Sequence, residues 1–414
     1  MSQAAPAGPA DFNPLAPEFI ADPYEILQRA QRESPVFFAE PFGFWAITRY
    51  EDIDKALGDF ETFSNNSLAD VPVPEQFQDR VPPGFFGTGS LISQDPPRHT
   101  ERRKLINKAF VRSRMEALEA PIRQICHDLI DEFIADGKAD LMTQYCYQVS
   151  LRSIVHLMDM PTDDLPMLRQ LVDDQGAVVS DAISPMSEEE RNMRWERMAK
   201  AREYLSSIVD ARRAAPGEDI VSQMATVNGE DGELVFSNDE ILTHLTELLF
   251  AGTDTTANLM GQMVIAFDKD PAQLEAVKAD PSLWAPACEE GIRFRTPTHG
   301  IFRIVTKDVT LSDVTIPAGS LVWLGVSGAN RDEARYGCPN HFDVQRTDAG
   351  EHLGFGKGRH KCLGAPLTRA EAPIGMAVLY ERIPGLRVVA GQELDYERTL
   401  VAVLLKHLQV EWGA

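Results

Sequence analysis

Phe355-Gly356-Lys357-Gly358-Arg359-His360-Lys361-Cys362-Leu363-Gly364 is the stretch that decides how this chain folds. Glycines at 354, 356 and 358 permit a tight loop in backbone conformations that other residues resist. Such a loop leaves amide N–H groups free to point at a sulfur atom. The run 363–379 reads as a helix, which puts Cys362 at its N-terminal end. There the helix dipole and the unbonded amides lower a thiol pKa and favour the thiolate. A lone cysteine is more often a small buried hydrophobe. The joint spacing of Phe355, the three glycines, His360 and Cys362 argues against that reading here.

A thiolate is what an oxygen-activating heme requires, because it pushes electron density through the iron and favours O–O cleavage. Phe355 is spaced to shield the sulfur, and His360 and Arg359 to reach a heme propionate. The segment resembles the heme-binding signature FGxGxHxCxG of bacterial cytochrome P450 enzymes, matched at every fixed position. Further family signatures follow in the right order, from about Asp22 to the C-terminus. The resemblance implies a mainly α fold with a smaller β-rich portion, a triangular single domain with a long central helix over the heme. It implies heme b held by Cys362, with Phe355, Gly356, His360 and Gly364 around the cofactor.

Ser237-Asn238-Asp239-Glu240 reads as a capping box, and a periodic apolar run continues from it to about Lys269, before Pro271. At about 1.5 Å per residue that helix is roughly 48 Å long. Its middle, Ala251-Gly252-Thr253-Asp254-Thr255-Thr256, is poor helix sequence, and a kink or local widening is expected there. Taken alone the cluster is a weak signal. Beside the cysteine segment it resembles the family's acid–alcohol pair, which makes Asp254 and Thr255 the proton-delivering residues and sets Ala251 and Gly252 against the cofactor.

Asp95-Pro96-Pro97-Arg98-His99-Thr100-Glu101-Arg102-Arg103 places His99 and Arg103 four apart, on one helix face. The resemblance makes both propionate ligands, and Arg303 on a later strand a third. Glu290 and Arg293 match the family's ExxR helix, a structural pair, with His341 offered as the third partner ahead of Phe342-Asp343. Pro366 suits a first helical turn. Pro373 lies deeper and is expected to bend the helix.

Charge and composition narrow the partners. Against 40 Lys and Arg stand 63 Asp and Glu, a formal net charge of −23, which repels nucleic acid and anionic lipid. No run reaches the roughly 18 apolar residues of a membrane helix. Five scattered cysteines without CxxC spacing make neither a disulfide framework nor a zinc site. A cytoplasmic monomer is expected, with residues 1–20 disordered and 21–414 forming one domain. Helical periodicity covers 118–133, 149–158 and 198–209, whereas 35–50 and the C-terminal 400–412 look like hairpins.

The chain shows no GxGxxG fingerprint after a strand, so electrons are expected from a separate iron–sulfur ferredoxin and its flavin-containing reductase. Arg98, Arg102, Lys104, Lys108, Arg112 and Arg114, with Lys357, Arg359 and Lys361, offer a basic docking patch. By resemblance the substrate pocket draws on the 65–94 loop with Phe85 and Phe86, on Leu248 and Ala251, on Thr298 to Phe302, and on a 401–405 hairpin beginning at Val401. Those aromatics suggest a small hydrophobic substrate, aromatic or terpenoid-like. The expected reaction is insertion of one atom of dioxygen, giving hydroxylation or O-dealkylation. A peroxide-driven peroxygenase and a non-catalytic heme sensor are the alternatives, and neither needs the acid–alcohol pair.

Overall fold

The computed structural model describes residues 6–66, 71–82, 84, 89–229 and 232–413. The chain divides into two compact units: Met1–Ser67, Glu119–Val149 and Thr255–Ala414 form one, and Leu68–Leu118 with Ser150–Asp254 the other.

All ten strands among the described residues belong to the first unit. They are β1 (Val36–Ala39), β2 (Phe44–Ile47), β3 (Phe63–Ser64), β4 (Lys138–Asp140), β5 (Ile301–Val305), β6 (Val309–Leu311), β7 (Val314–Ile316), β8 (Leu321–Leu324), β9 (Arg387–Val388) and β10 (Gln409–Glu411). The main sheet runs β1-β2-β8-β5-β3, with β2 parallel to β8 and the other pairs antiparallel. The hairpin expected over 35–50 is its first pair, with strands at 36–39 and 44–47, turned at Gly43 in the left-handed region (φ 71°).

Both faces of this sheet are covered, which explains unbroken apolar runs such as Phe44-Trp45-Ala46-Ile47. Strand alternation sends Val36, Trp45, Ile47, Val322 and Leu324 into one core, with Ile53, Leu57 and Phe63. Phe37, Phe44, Ala46 and Trp323 go to the other face, against Phe12, Phe19 and Leu27. Phe12 lies edge-on to Phe19, Phe37 and Trp323. The expected disorder of residues 1–20 is therefore corrected from residue 6 onward: the helix Pro17–Ala21 is formed and Phe12 is part of a core. The Ala- and Pro-rich composition concealed one aromatic anchor.

The second unit is helical apart from one isolated bridge between Asn228 and Leu234. It contains Arg98–Ile106, Leu165–Ser180 and Glu188–Ala214, the last capped by Ser187, whose hydroxyl accepts from Glu190 N–H. No described helix is long and apolar enough to cross a membrane.

The helix Asn238–Lys269 runs between the termini read from sequence. Its capping box is formed: Glu240 N–H donates to Ser237 Oγ (3.2 Å) and Ser237 N–H to Glu240 Oε2 (2.9 Å). The expected widening is absent, since the backbone is α-helical across Ala251 to Thr256. The Thr253 hydroxyl bonds back to the Leu249 carbonyl (2.7 Å) within the turn. A π-turn lies instead at Met142–Cys146.

The helix after the cysteine, Ala365–Arg382, continues through Pro373. The expected C-terminal hairpin is also corrected. Residues 401–405 make separate bridges, Thr298 to Ala402 and Tyr396 to Leu405, and only β10 is a strand.

Candidate active site

The cysteine loop lies wholly in the first unit. Gly356 (φ 64°) and Gly358 (φ 67°) occupy the left-handed region. A Cβ at Gly358 would also stand 2.9 Å from the Leu57 carbonyl oxygen. Gly358→Ala is therefore expected to destabilise the protein by at least about 1–2 kcal/mol, the backbone cost alone. Thermal unfolding checks this, and an unchanged midpoint would count against a backbone role. Gly354 answers a different need, because its Cβ would fall 2.5 Å from Ile292 Cγ2.

The loop closes through Cys362 N–H to the Phe355 carbonyl (2.7 Å), which leaves the Cys362 side chain exposed two residues before the helix cap Gly364. Phe355 is held between the His352 ring (centroids 5.3 Å apart) and the Arg369 guanidinium, 4.8 Å from its ring centre. Both clamps end on Glu289. Arg369 donates twice to its carboxylate (2.7 and 2.9 Å), and His352 Nε2 lies 3.3 Å away. Burial pushes the Glu289 carboxyl up, but Arg369 and His352 outweigh it and bring it to about 2. His360 is half-buried in the turn Gly358–His360. Arg359 stacks on Phe60 at 4.5 Å, and Lys357 pairs with Asp54 (2.6 Å).

The same unit brings together the segments expected to wall a pocket. His299 N–H donates to the Val401 carbonyl (2.7 Å), Val403 N–H to Pro297, and Thr298 bridges to Ala402. Phe302 packs edge-on against Phe44, Arg303 is buried with Nη1 on the Phe302 carbonyl, and Val401 is exposed. His299 is a core histidine: burial and nearby Arg295 push it down to about 3, and its Nδ1 faces Ser327 Oγ at 3.2 Å. Thr255 is half-buried, and Thr256 bonds with Thr368 (2.9 Å).

The ExxR pair is formed and fully buried. Arg293 donates to Glu290 through Nε (2.6 Å) and Nη2 (2.8 Å). The third charged partner is Arg346, whose Nε lies 3.3 Å from Glu290 Oε1. This corrects the part given to His341, which contributes only its backbone carbonyl, accepting from Arg293 at 3.2 Å and Arg346 at 3.3 Å. A buried carboxylate facing one guanidinium is better matched by a second guanidinium than by an imidazole. Arg346 was there to be read, closing Phe342-Asp343-Val344-Gln345-Arg346.

In the second unit His99 is buried and Arg103 half-buried on the helix Arg98–Ile106. Leu248 is half-buried, Ala251 is exposed, and Gly252 faces Ile154, to which a Cβ would come within 3.5 Å. Asp254 is ion-paired with Arg169 Nη1 at 3.1 Å, and Arg169 also reaches Asp173. Nothing local in the sequence signalled Arg169. Phe85 and Phe86 lie outside the described residues. Much of the anticipated basic patch is internally neutralised: Arg98 and Arg102 both reach Glu240 Oε1 at 3.1 Å, and Arg112 pairs with Glu116.

This donor set would suit a macrocycle iron that takes one thiolate from the protein and does not fit a chelated metal. A single exposed thiol stands on a rigid loop, and no group of three or more His, Cys, Asp or Glu among the described residues is placed to hold an ion. By contrast Cys126 is a buried thiol, pushed up to about 12 by desolvation.

The cytochrome P450 family model matches residues 46–280 and 283–382. Cytochrome P450 107B1 of Saccharopolyspora erythraea is 34% identical over 375 residues, 89% of each chain. The vitamin D(3) 25-hydroxylase of Pseudonocardia autotrophica is 33% identical over 406 residues, 95% of each. Among solved structures, cytochrome P450 CREJ in complex with (4-ethylphenyl) dihydrogen phosphate superposes with a TM-score of 0.87 at 28% identity, covering 97% of this chain and 99% of that one. The chain belongs to the cytochrome P450 family. It is a P450 monooxygenase whose cofactor is a heme iron and which works with dioxygen and redox partners.

Proposed function

We propose that the chain is a heme b enzyme in which Cys362 would supply the thiolate that holds the iron, and that it oxidises a small hydrophobic, aromatic or terpenoid-like molecule. The observation that carries the ligand assignment is the exposed Cys362 thiol on a loop locked by Gly356, Gly358 and the bond to Phe355. The bound heme supplies the activation of dioxygen. His99, Arg103, Arg303 and His360 are the propionate donors in this reading, since each presents N–H groups suited to a carboxylate. The Phe355 ring sits beside the loop that carries the sulfur, and Glu289 fixes that ring through Arg369 and His352. We read both compact units as parts of one catalytic domain, because the family match runs through both.

Asp254 and Thr255 are the proton-delivering pair. Arg169 holds the Asp254 carboxylate, and to move a proton inward Asp254 must release that guanidinium. Asp173, already paired with Arg169, keeps the arginine's charge compensated as this happens. Thr255 offers the hydroxyl through which the proton passes. Thr255→Ala is expected to lower product formed per dioxygen consumed by about tenfold or more, while dioxygen consumption continues. Unchanged coupling would remove Thr255 from this role.

The aromatic or terpenoid reading rests on Phe302 at the 298–302 wall and on the aromatic ester bound by the relative CREJ. Exposed Arg359 and Lys361 beside Cys362 support an acidic ferredoxin, itself served by a flavin reductase, as electron donor. A monomer acting in the cytoplasm fits the acidic charge. The deciding measurement is the absorption spectrum of the reduced, carbon-monoxide-bound protein. The red-shifted Soret band of a thiolate complex is expected, and a band without that shift would reject the ligand assignment.

A further inference from the structure

The long helix carries a carboxylate that the reaction scheme leaves unused. Glu247 precedes Ala251 by four residues and Asp254 by seven, so the three share one helix face. Glu247 does not extend into solvent. Its Oε1 accepts from Ser90 Oγ (2.7 Å) and Ile92 N–H (3.1 Å), and its Oε2 from Leu91 N–H (3.0 Å). One turn earlier, buried His244 sets Nδ1 3.4 Å from Oε2.

Burial pushes the Glu247 carboxyl up, but the donors from His244, Ser90 and Leu91 outweigh it and hold it below the usual carboxylate range. The group is thus charged at neutral pH. Hydrogen bonds to a charged acceptor are roughly twice as strong as neutral ones.

The residues it grips form the exit of the 65–94 segment. Leu91–Ser93 is a single helical turn, and Gln94 Nε2 ties back to the Gly89 carbonyl (3.0 Å). An apolar side chain at 247 would pack against this turn in many positions. A part-buried carboxylate is tolerated only where donors meet it, so it selects the one placement in which Ser90, Leu91 and Ile92 converge on it.

We propose that Glu247 is a specificity-determining positioning residue that fixes Ser90–Ile92 on the helix face bearing Ala251 and Asp254, and so sets a wall that bound molecules meet. The proposal rests on reading that face as the one turned toward the reaction. The test uses the heme-loaded enzyme and the isosteric variant Glu247→Gln. Hydrogen–deuterium exchange at the Leu91 and Ile92 amides is expected to quicken about tenfold or more. Ser90→Ala, which removes the Ser90 hydroxyl's bond to Glu247 and its weaker cap on Ile92 N–H (3.4 Å) but leaves the long helix untouched, is expected to quicken the same amides about threefold.

The second readout is binding of imidazole and of 4-phenylimidazole, followed by the Soret shift. The preference for the phenyl compound is expected to fall about tenfold in Glu247→Gln, at the level of one to two lost charge-assisted bonds. Unchanged exchange at both amides would overturn the anchor. Faster exchange with an unchanged phenyl preference would overturn the specificity role. If neither compound shifts the Soret band of the unaltered enzyme, the heme reading is what has failed, and the exchange result still decides the anchor.

Discussion

Replacing Cys362 with Ser is expected to abolish both monooxygenation and the red-shifted Soret band of the reduced carbon-monoxide complex. The Cys362 side chain is exposed and the loop is held through backbone, by Cys362 N–H to Phe355 and Gly356 N–H to Leu353 (2.8 Å). Exchanging sulfur for oxygen therefore leaves the fold in place, within the ~0.5 kcal/mol usual for surface changes. What is lost is an ionised, polarisable sulfur, and with it the electron push that favours O–O cleavage. Cys338, also exposed, supplies the control, since Cys338→Ser should alter neither signal. A Cys362→Ser enzyme that retained the shifted band would end the assignment.

Arg293→Ala is expected to have the largest effect on stability, about 3–5 kcal/mol, because it strands part of a buried charge network. Arg293 satisfies both Glu290 oxygens and three carbonyls, those of Asn330 (3.0 Å), Pro339 (2.9 Å) and His341 (3.2 Å). Glu290 would keep only Arg346 and the Asp343 N–H (2.9 Å). Lysine cannot substitute, since one ammonium cannot reproduce the five-donor fork. Denaturant unfolding measures the loss, and a change below about 1 kcal/mol would show that the network is dispensable.

Local signals in the sequence were read well, and distant ones were not. The long helix could be bounded because Ser237, Glu240 and Pro271 act within a turn of its ends. The cysteine loop was legible because its glycines, Phe355 and Cys362 constrain one another over ten residues. Arg169 lies 85 residues from Asp254, and Ser90 lies 157 from Glu247. Only tertiary packing brings such pairs together. Part of the basic stretch is engaged within the fold for the same reason, since Glu240 reaches Arg102 across 138 residues. His341 was mistaken for a side-chain partner because residue type says nothing about which carbonyls a buried guanidinium will find. Pro373 lies inside a helix that continues to Arg382.

Phe12 has a practical corollary. Its ring is one of the plugs closing the outer face of the main sheet over Phe37 and Trp323, and it is only 8% exposed. Trimming the chain past this point would leave a ring-sized hole, with a penalty of about 3–5 kcal/mol for a lost buried phenylalanine. The segment around Phe12, which looks expendable to anyone shortening the protein, is thus the sheet's lid.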